Sequence, residues 1–292
     1  VDVIPAPKAP KAVATTTKSG KKIEFKEQWP KGVAPIIDYS GGEKGGMDHF
    51  YEALNKVKTL GRPVRIAYFG DSFVENDIMT ADLRELFQSE FGGHGVGWVD
   101  LANPINRNSR RTVTQETSGT REFSVVKKPF DHSRQGIGER YYNVSSGASV
   151  TTNLATIYNR FQPHAKQFDV ARLFFRAENG VTITATVGAG TPQSRSFDGS
   201  SGVQMYELKA KGSKINYKFS NVGEGFTGFG MALESLQGVI LDCMSVRGSS
   251  GLTLQSIPQS TLADFAKLRP YDLIIVHYGL NVAVSGNPKN II

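Results

Sequence analysis

The sequence predicts an α/β fold interrupted by an inserted β-sandwich or jelly roll. Strand-sized apolar runs at residues 64–69, 239–246 and 272–277 lead into turns carrying Gly, Ser or Asn. Helical apolar spacing flanks these runs, as in a parallel sheet built from strand–helix units. Between them, residues 105–241 read as short alternating segments separated by Gly, Ser, Pro and Asn clusters, without long helical patterns.

Taken in order, residues 1–22 (VDVIPAPKAPKAVATTTKSGKK) are rich in Pro, Ala, Lys and Thr and lack apolar periodicity. Such a segment cannot bury enough surface to offset its ordering entropy, so a flexible tether is expected, extending over 1–45 through the glycine-rich stretch 41–46. Phe50, Leu54, Val57 and Leu60 then recur at helical spacing, with Gly61 as a stop. The run 64–69 is a short buried strand that enters Gly70-Asp71-Ser72. A second helix over about 76–91 presents Ile78, Leu83, Leu86 and Phe87. The glycine-rich stretch 91–97 follows a helix and lacks dinucleotide-fingerprint spacing, so it reads as a helix stop and loop. Strands are expected at 122–126, 171–176, 181–187, 203–208 and 214–219. The α/β pattern returns with the strand 239–246, a helix near 260–268 closed by Arg269-Pro270, and the strand 272–277 entering Tyr278-Gly279-Leu280-Asn281. The expected layout is a tether (1–45), a first α/β part (46–104), an inserted β-domain (105–241) and a second α/β part (242–292).

Composition narrows the function classes. The 292 residues are 39% hydrophobic and 21% charged, with no apolar run of membrane-spanning length. Net charge is +7, but residues 1–31 hold seven lysines against Asp2, Glu24 and Glu27, so the remaining 261 residues carry only +3. Within residues 1–22 no aromatics interleave with the lysines, so nucleic acid is not expected as a partner of this tail. Cys243, the one cysteine, lies in an apolar run and reads as a small buried hydrophobe. The histidines show no pairing with Asp or Glu at a recognisable spacing, and His277 reads as a core or rim imidazole. No metal-ligand spacing is found, so no metal or cofactor is expected.

Ser72 is the first candidate for chemistry. It sits at the C-terminal end of a parallel strand, where open α/β sheets place ligands. A following helix N-terminus would offer N–H donors to an oxyanion, although the same position also suits a helix-capping residue. Gly248-Ser249-Ser250-Gly251 follows the second strand of this type, and Gly279-Leu280-Asn281 follows the third. A serine, a glycine-rich turn and an asparagine thus converge on one sheet edge.

These three segments resemble the first three sequence blocks of the SGNH (GDSL) hydrolases, a flavodoxin-like, three-layer α/β family. The resemblance implies Ser72 as nucleophile, with the Ser72 and Gly251 backbone N–H groups and the Asn281 side chain as the oxyanion hole. The flanking segments 65–72, 80–84 and 91–97 resemble bacterial cell-envelope SGNH proteins of the peptidoglycan O-acetylesterase type. In that group a β-rich, carbohydrate-binding-module-like domain lies between the first two blocks. Here Ser72 and Gly251 are 179 positions apart, and residues 229–234 with Gly238-Val239 resemble the end of such an insert.

The family's fourth element, an Asp-x-x-His supplying base and orienting carboxylate, does not occur after Ser72. The expectation is an α/β domain whose last strands, catalytic His and Asp lie beyond Ile292 or on a second chain, so that this chain alone is inactive. The implied function is removal of O-acetyl groups from a cell-envelope glycan such as peptidoglycan, through an acetyl-Ser72 intermediate. The tether suits a periplasmic or cell-surface location. A glycan O-acetyltransferase using the same residues, and a non-catalytic glycan-binding protein relying on the insert, remain the alternatives.

Overall fold

A computed structural model describes residues 14–16, 22–24, 31–32, 37–41, 45–107, 109–154 and 161–282. Residues 1–52 and 53–292 form two compact units. In the first, β1 (Ala14–Thr16) pairs antiparallel with β2 (Lys22–Glu24). The α1 helix (Asp48–Asn55) starts where the Asp48 carboxylate accepts the Gly45 N–H at 2.8 Å, placing a negative charge at the helix N-terminus. Most of the expected tether lies outside the described residues.

The second unit begins its regular structure with β3 (Val64–Gly70), buried along nearly its whole length. It continues through α2 (Thr80–Phe91) and β4 (Gly95–Asp100). A long run of strands follows: β5 (Thr114–Ser124), β6 (Arg140–Asn153), β7 (Phe168–Ala177), β8 (Val181–Val187), β9 (Gln193–Phe197), β10 (Ser200–Gly212), β11 (Lys214–Ser220) and β12 (Thr227–Glu234). The unit closes with β13 (Val239–Ser245), α3 (Gln259–Leu268) and β14 (Leu273–His277).

Two sheets organise it. β13, β3 and β14 form a parallel three-stranded sheet in that order, and β4 to β12 form one nine-stranded antiparallel sheet. β6 serves both halves of the larger sheet, pairing with β12 at Tyr142, with β5 from Arg140 to Asn153 and with β11 from Ser149 to Asn153. Strict alternation along β8 and β11 turns Val181, Ile183, Ala185, Ile215, Tyr217 and Phe219 inward and Thr182, Thr184, Asn216 and Lys218 toward solvent. The inward set shares one core with Leu173, Phe175, Tyr206, Leu208, Met231 and Leu233 from the other half.

The flavodoxin-like three-layer α/β expectation is therefore corrected: the chain is mostly β, and its larger sheet is antiparallel. Among the described residues it has three α-helices. Two causes are visible. Residues 95–97, the end of the stretch 91–97 expected as loop, open β4, which pairs antiparallel with β12, so this stretch joins the larger sheet. And α3 faces that sheet: Phe265 lies 5.5–5.9 Å, centroid to centroid, from Phe174, Phe229 and Trp98. A polar seam joins the two sheets, where the buried Asp242 of β13 accepts the Trp98 N–H of β4 at 2.8 Å.

Candidate active site

The parallel register brings three strand ends level: Ser245 of β13 and His277 of β14 both lie opposite Gly70 of β3. The turns bearing Ser72, Gly251 and Asn281 therefore leave from one edge of the sheet. Gly70 is required there, because a Cβ would lie 2.3 Å from Val74 Cγ2. The Asp71 carbonyl accepts the Val74 and Glu75 N–H groups at 3.1 and 3.2 Å, and its buried carboxylate accepts the Phe73 N–H at 3.0 Å. Ser72 is half-buried on this turn, and its hydroxyl has no hydrogen-bond partner among the described residues.

The helix expected from about residue 76 begins later. A short 3-10 turn, Glu75–Asp77, intervenes, and α2 starts only at Thr80. Asn76 and Asp77 have φ of 66° and 60°, which α-helix geometry excludes. The buried Asp77 carboxylate is held by Thr80, Arg84, Arg110 and Thr112. Burial alone would raise its pKa, but the Arg110 and Arg84 charges outweigh that and hold it well below the usual carboxylate range. The Ser72 turn thus runs into a 3-10 turn before α2 begins.

Asn281 binds the other turns together. Its Nδ2 donates to Asp71 Oδ2 at 3.2 Å and to the Ser249 carbonyl at 2.9 Å. Gly251 adopts φ +80°, with the Tyr278 ring so close that a Cβ would lie 2.7 Å from it. Its N–H donates to Ser249 Oγ at 3.1 Å. The structure therefore brings all three sequence-predicted residues into one linked set of turns.

The larger sheet supplies residues that sequence reasoning missed. Glu139, just ahead of β6 and 1% exposed, accepts hydrogen bonds from Ser249 Oγ (2.9 Å), Tyr278 OH (2.9 Å) and Thr253 Oγ1. Gln135 Nε2 donates to the Thr253 carbonyl at 2.9 Å, and Arg140 Nη1 to the Ser245 carbonyl at 2.7 Å. Burial, followed by the neighbouring Glu139 charge, pushes the Tyr278 hydroxyl well above its ordinary range, so it stays a donor. Ser249 and Tyr278 stand beside the recognised motif residues. Glu139 carries no sequence signal.

His277, His132, His164 and His94 each lie against a group other than Ser72. His277 Nδ1 lies 3.1 Å from Tyr68 OH at an exposed rim position, and His132 Nδ1 is 2.8 Å from Gln135 Oε1. His164 pairs with Glu85 at 2.6 Å and His94 with Asp169 at 3.0 Å, carboxylate pairings that span too many positions to be read from sequence. Cys243 is buried, which raises its thiol pKa. Surface cavities of about 630, 740 and 700 Å³ open elsewhere, and none is lined by Ser72, Gly251 or Asn281.

No family model matches the chain, and no curated protein matches it. Among solved structures, a peptidoglycan O-acetylesterase aligns with a TM-score of 0.62 and 21% identity, covering 82% of this chain and 62% of that one. A family 29 carbohydrate-binding module gives a TM-score of 0.29 at 10% identity, over 48% of this chain and 92% of the module. A family two carbohydrate esterase from Cellvibrio japonicus gives 0.23 at 12%, over 44% of this chain and 36% of the esterase. The chain thus spans less than two thirds of the length of the peptidoglycan O-acetylesterase. What it shares with that esterase is the fold.

Proposed function

We propose that this chain belongs to a serine esterase of the SGNH type, which removes O-acetyl groups from a cell-envelope glycan such as peptidoglycan. The observation that carries the reading is the Asn281 amide bridging Asp71 of the serine turn and Ser249 of the glycine turn. Three motif segments from distant parts of the chain are linked there, beside a serine hydroxyl with no partner among the described residues. The shared fold with a peptidoglycan O-acetylesterase agrees with it.

In this mechanism Ser72 Oγ attacks the acetyl carbonyl carbon while its proton passes to a general base. The carbonyl oxygen becomes an oxyanion, held by the Ser72 and Gly251 N–H groups and the Asn281 amide. Collapse expels the sugar oxygen, which takes the proton back and leaves acetyl-Ser72. Water activated by the same base then attacks, and acetate departs. None of the described histidines hydrogen-bonds Ser72, so the base is proposed to come from outside the described residues. The exposure of Ile274 (59%) and Val276 (62%) on β14 supports further chain covering that side of the sheet. A glycan of the envelope as substrate implies export to the periplasm or cell surface.

The test is Ser72→Ala in the full-length protein, assayed for acetate release from an acetylated glycan. The expected result is a loss of about ten-thousand-fold or more in kcat. Retained turnover overturns the assignment.

A further inference from the structure

Glu139 belongs to neither turn that it binds. It lies in the segment between β5 and β6, 110 positions before Ser249 and 139 before Tyr278. Its carboxylate nonetheless receives three hydroxyls. Ser249 and Thr253 belong to the turn bearing Gly251, and Tyr278 begins the turn bearing Asn281. Its φ of 57° lies in the left-handed region, which costs an L-residue without a local compensating bond. The next residue, Arg140, holds the end of β13 through the Ser245 carbonyl.

Ser249 is the hub of this arrangement. Its hydroxyl donates to Glu139 Oε1 and accepts from the Gly251 N–H, while its carbonyl accepts from the Asn281 amide. A serine hydroxyl has one proton. With that proton committed to Glu139, its lone pairs face the Gly251 N–H. The acceptor-only carboxylate therefore sets which way Ser249 points, and Ser249 sets where the two N–H donors lie. In the resting chain both donors are bonded to Ser249, and the Asn281 amide also to Asp71, so an oxyanion has to draw them from a defined starting position.

We propose that Glu139 is a positioning residue: acting through Ser249, it sets the placement of the Gly251 and Asn281 donors in the oxyanion hole. The connection between β5 and β6 is thereby part of the hydrolytic apparatus. This rests on the esterase reading given above. A carboxylate that served only as packing would be expected to affect stability and leave the donors' environment unchanged.

The experiment compares Glu139→Gln and Ser249→Ala with the parent in the full-length protein. It measures acetyl-ester kinetics and the NMR signals of the Gly251 amide and the Asn281 side-chain amide, the latter assigned by its loss in Asn281→Asp. Gln replaces one acceptor oxygen by a donor, so a hydroxyl facing it has to reverse. We expect kcat to fall about tenfold or more with KM within about twofold, since removing an oxyanion donor outright costs about a hundredfold or more. Both amide signals shift, and the double variant is no worse than the poorer single one. Unmoved Gly251 and Asn281 signals in a folded variant overturn the proposal, as does a kcat equal to the parent's. If Glu139→Gln does not fold, Ser249→Ala carries the same test. Turnover surviving Ser72→Ala defeats the esterase reading instead, and the two amide signals then decide the placement on their own.

Discussion

Gly70 and Gly251 are glycines for a reason of space. At Gly70 the chain leaves β3 and folds back so tightly that an added Cβ would lie only 2.3 Å from Val74 Cγ2. At Gly251 a left-handed φ of +80° and the Tyr278 ring both exclude a side chain. Gly70→Ala is expected to cost about 1–3 kcal/mol of stability in urea unfolding, as overpacking does. Its cost should be smaller in a Val74→Ala background, where the clashing methyl is gone, so the two substitutions should be non-additive. A strictly additive result would show that the turn opens to admit the methyl. The same short reach lets Asn281 touch both other turns, and these residues are where the proposed chemistry is concentrated.

At the scale of elements, the seam between β3, β12, β13 and α3 is ionic. Glu234 at the end of β12 accepts Arg65 Nη2 of β3 at 2.7 Å and Arg269 Nη2, just past α3, at 2.8 Å, and also pairs with Arg172 of β7. Arg269 also holds Asp242 of β13 through Nε at 2.7 Å. Burial alone would raise the Glu234 pKa, but the Arg269, Arg65 and Arg172 charges outweigh it and hold the carboxyl well below the usual range. Asp77 is lowered in the same way. Because the folded pKa lies below the unfolded one, the stabilisation is present above the unfolded value of about 4 and is lost as pH falls through the folded pKa. Thermal stability should therefore drop on acidification below about pH 4, with a smaller slope in Glu234→Gln. That substitution leaves buried guanidinium groups short of a counter-charge and should cost about 3–5 kcal/mol at neutral pH. An unchanged acid slope in the variant would remove Glu234 from the account.

At the scale of the 53–292 unit, the larger sheet is bonded into the smaller one. Gln135 to Thr253, Glu139 to Ser249 and Tyr278, and Arg140 to Ser245 link the larger sheet and its β5–β6 connection to the strand ends and turns of the smaller one, Arg176 to Thr261 links β7 to α3, and most of these groups are buried. Neither sheet can unfold without leaving buried polar groups unpaired. Calorimetry should accordingly give one cooperative transition for residues 53–292, coincident with far-UV circular dichroism. Two resolved transitions would show that the antiparallel strands form an independent module.

Much of the local structure was legible in the sequence. The apolar runs expected at 64–69, 239–246 and 272–277 form β3, β13 and β14, and the runs at 181–187 and 214–219 form β8 and β11. Each is marked by its own residues and ended by its own Gly, Ser or Asn, so neighbours in sequence suffice to identify it. The three turns at the sheet edge were visible for the same reason. β4 was not, because its glycines look like a loop until β12 pairs with them.

The sequence by itself thus determined where β3, β8, β11, β13 and β14 lie and which turns carry Ser72, Gly251 and Asn281. Only the tertiary structure decided that most strands join one antiparallel sheet and that Glu139 reaches Ser249 across 110 positions and Arg65 reaches Glu234 across 169. Strand formation follows from hydrophobic alternation and turn residues within a few positions. Strand pairing and buried charge placement depend on which surfaces meet after the chain has closed on itself, and no local pattern encodes that meeting.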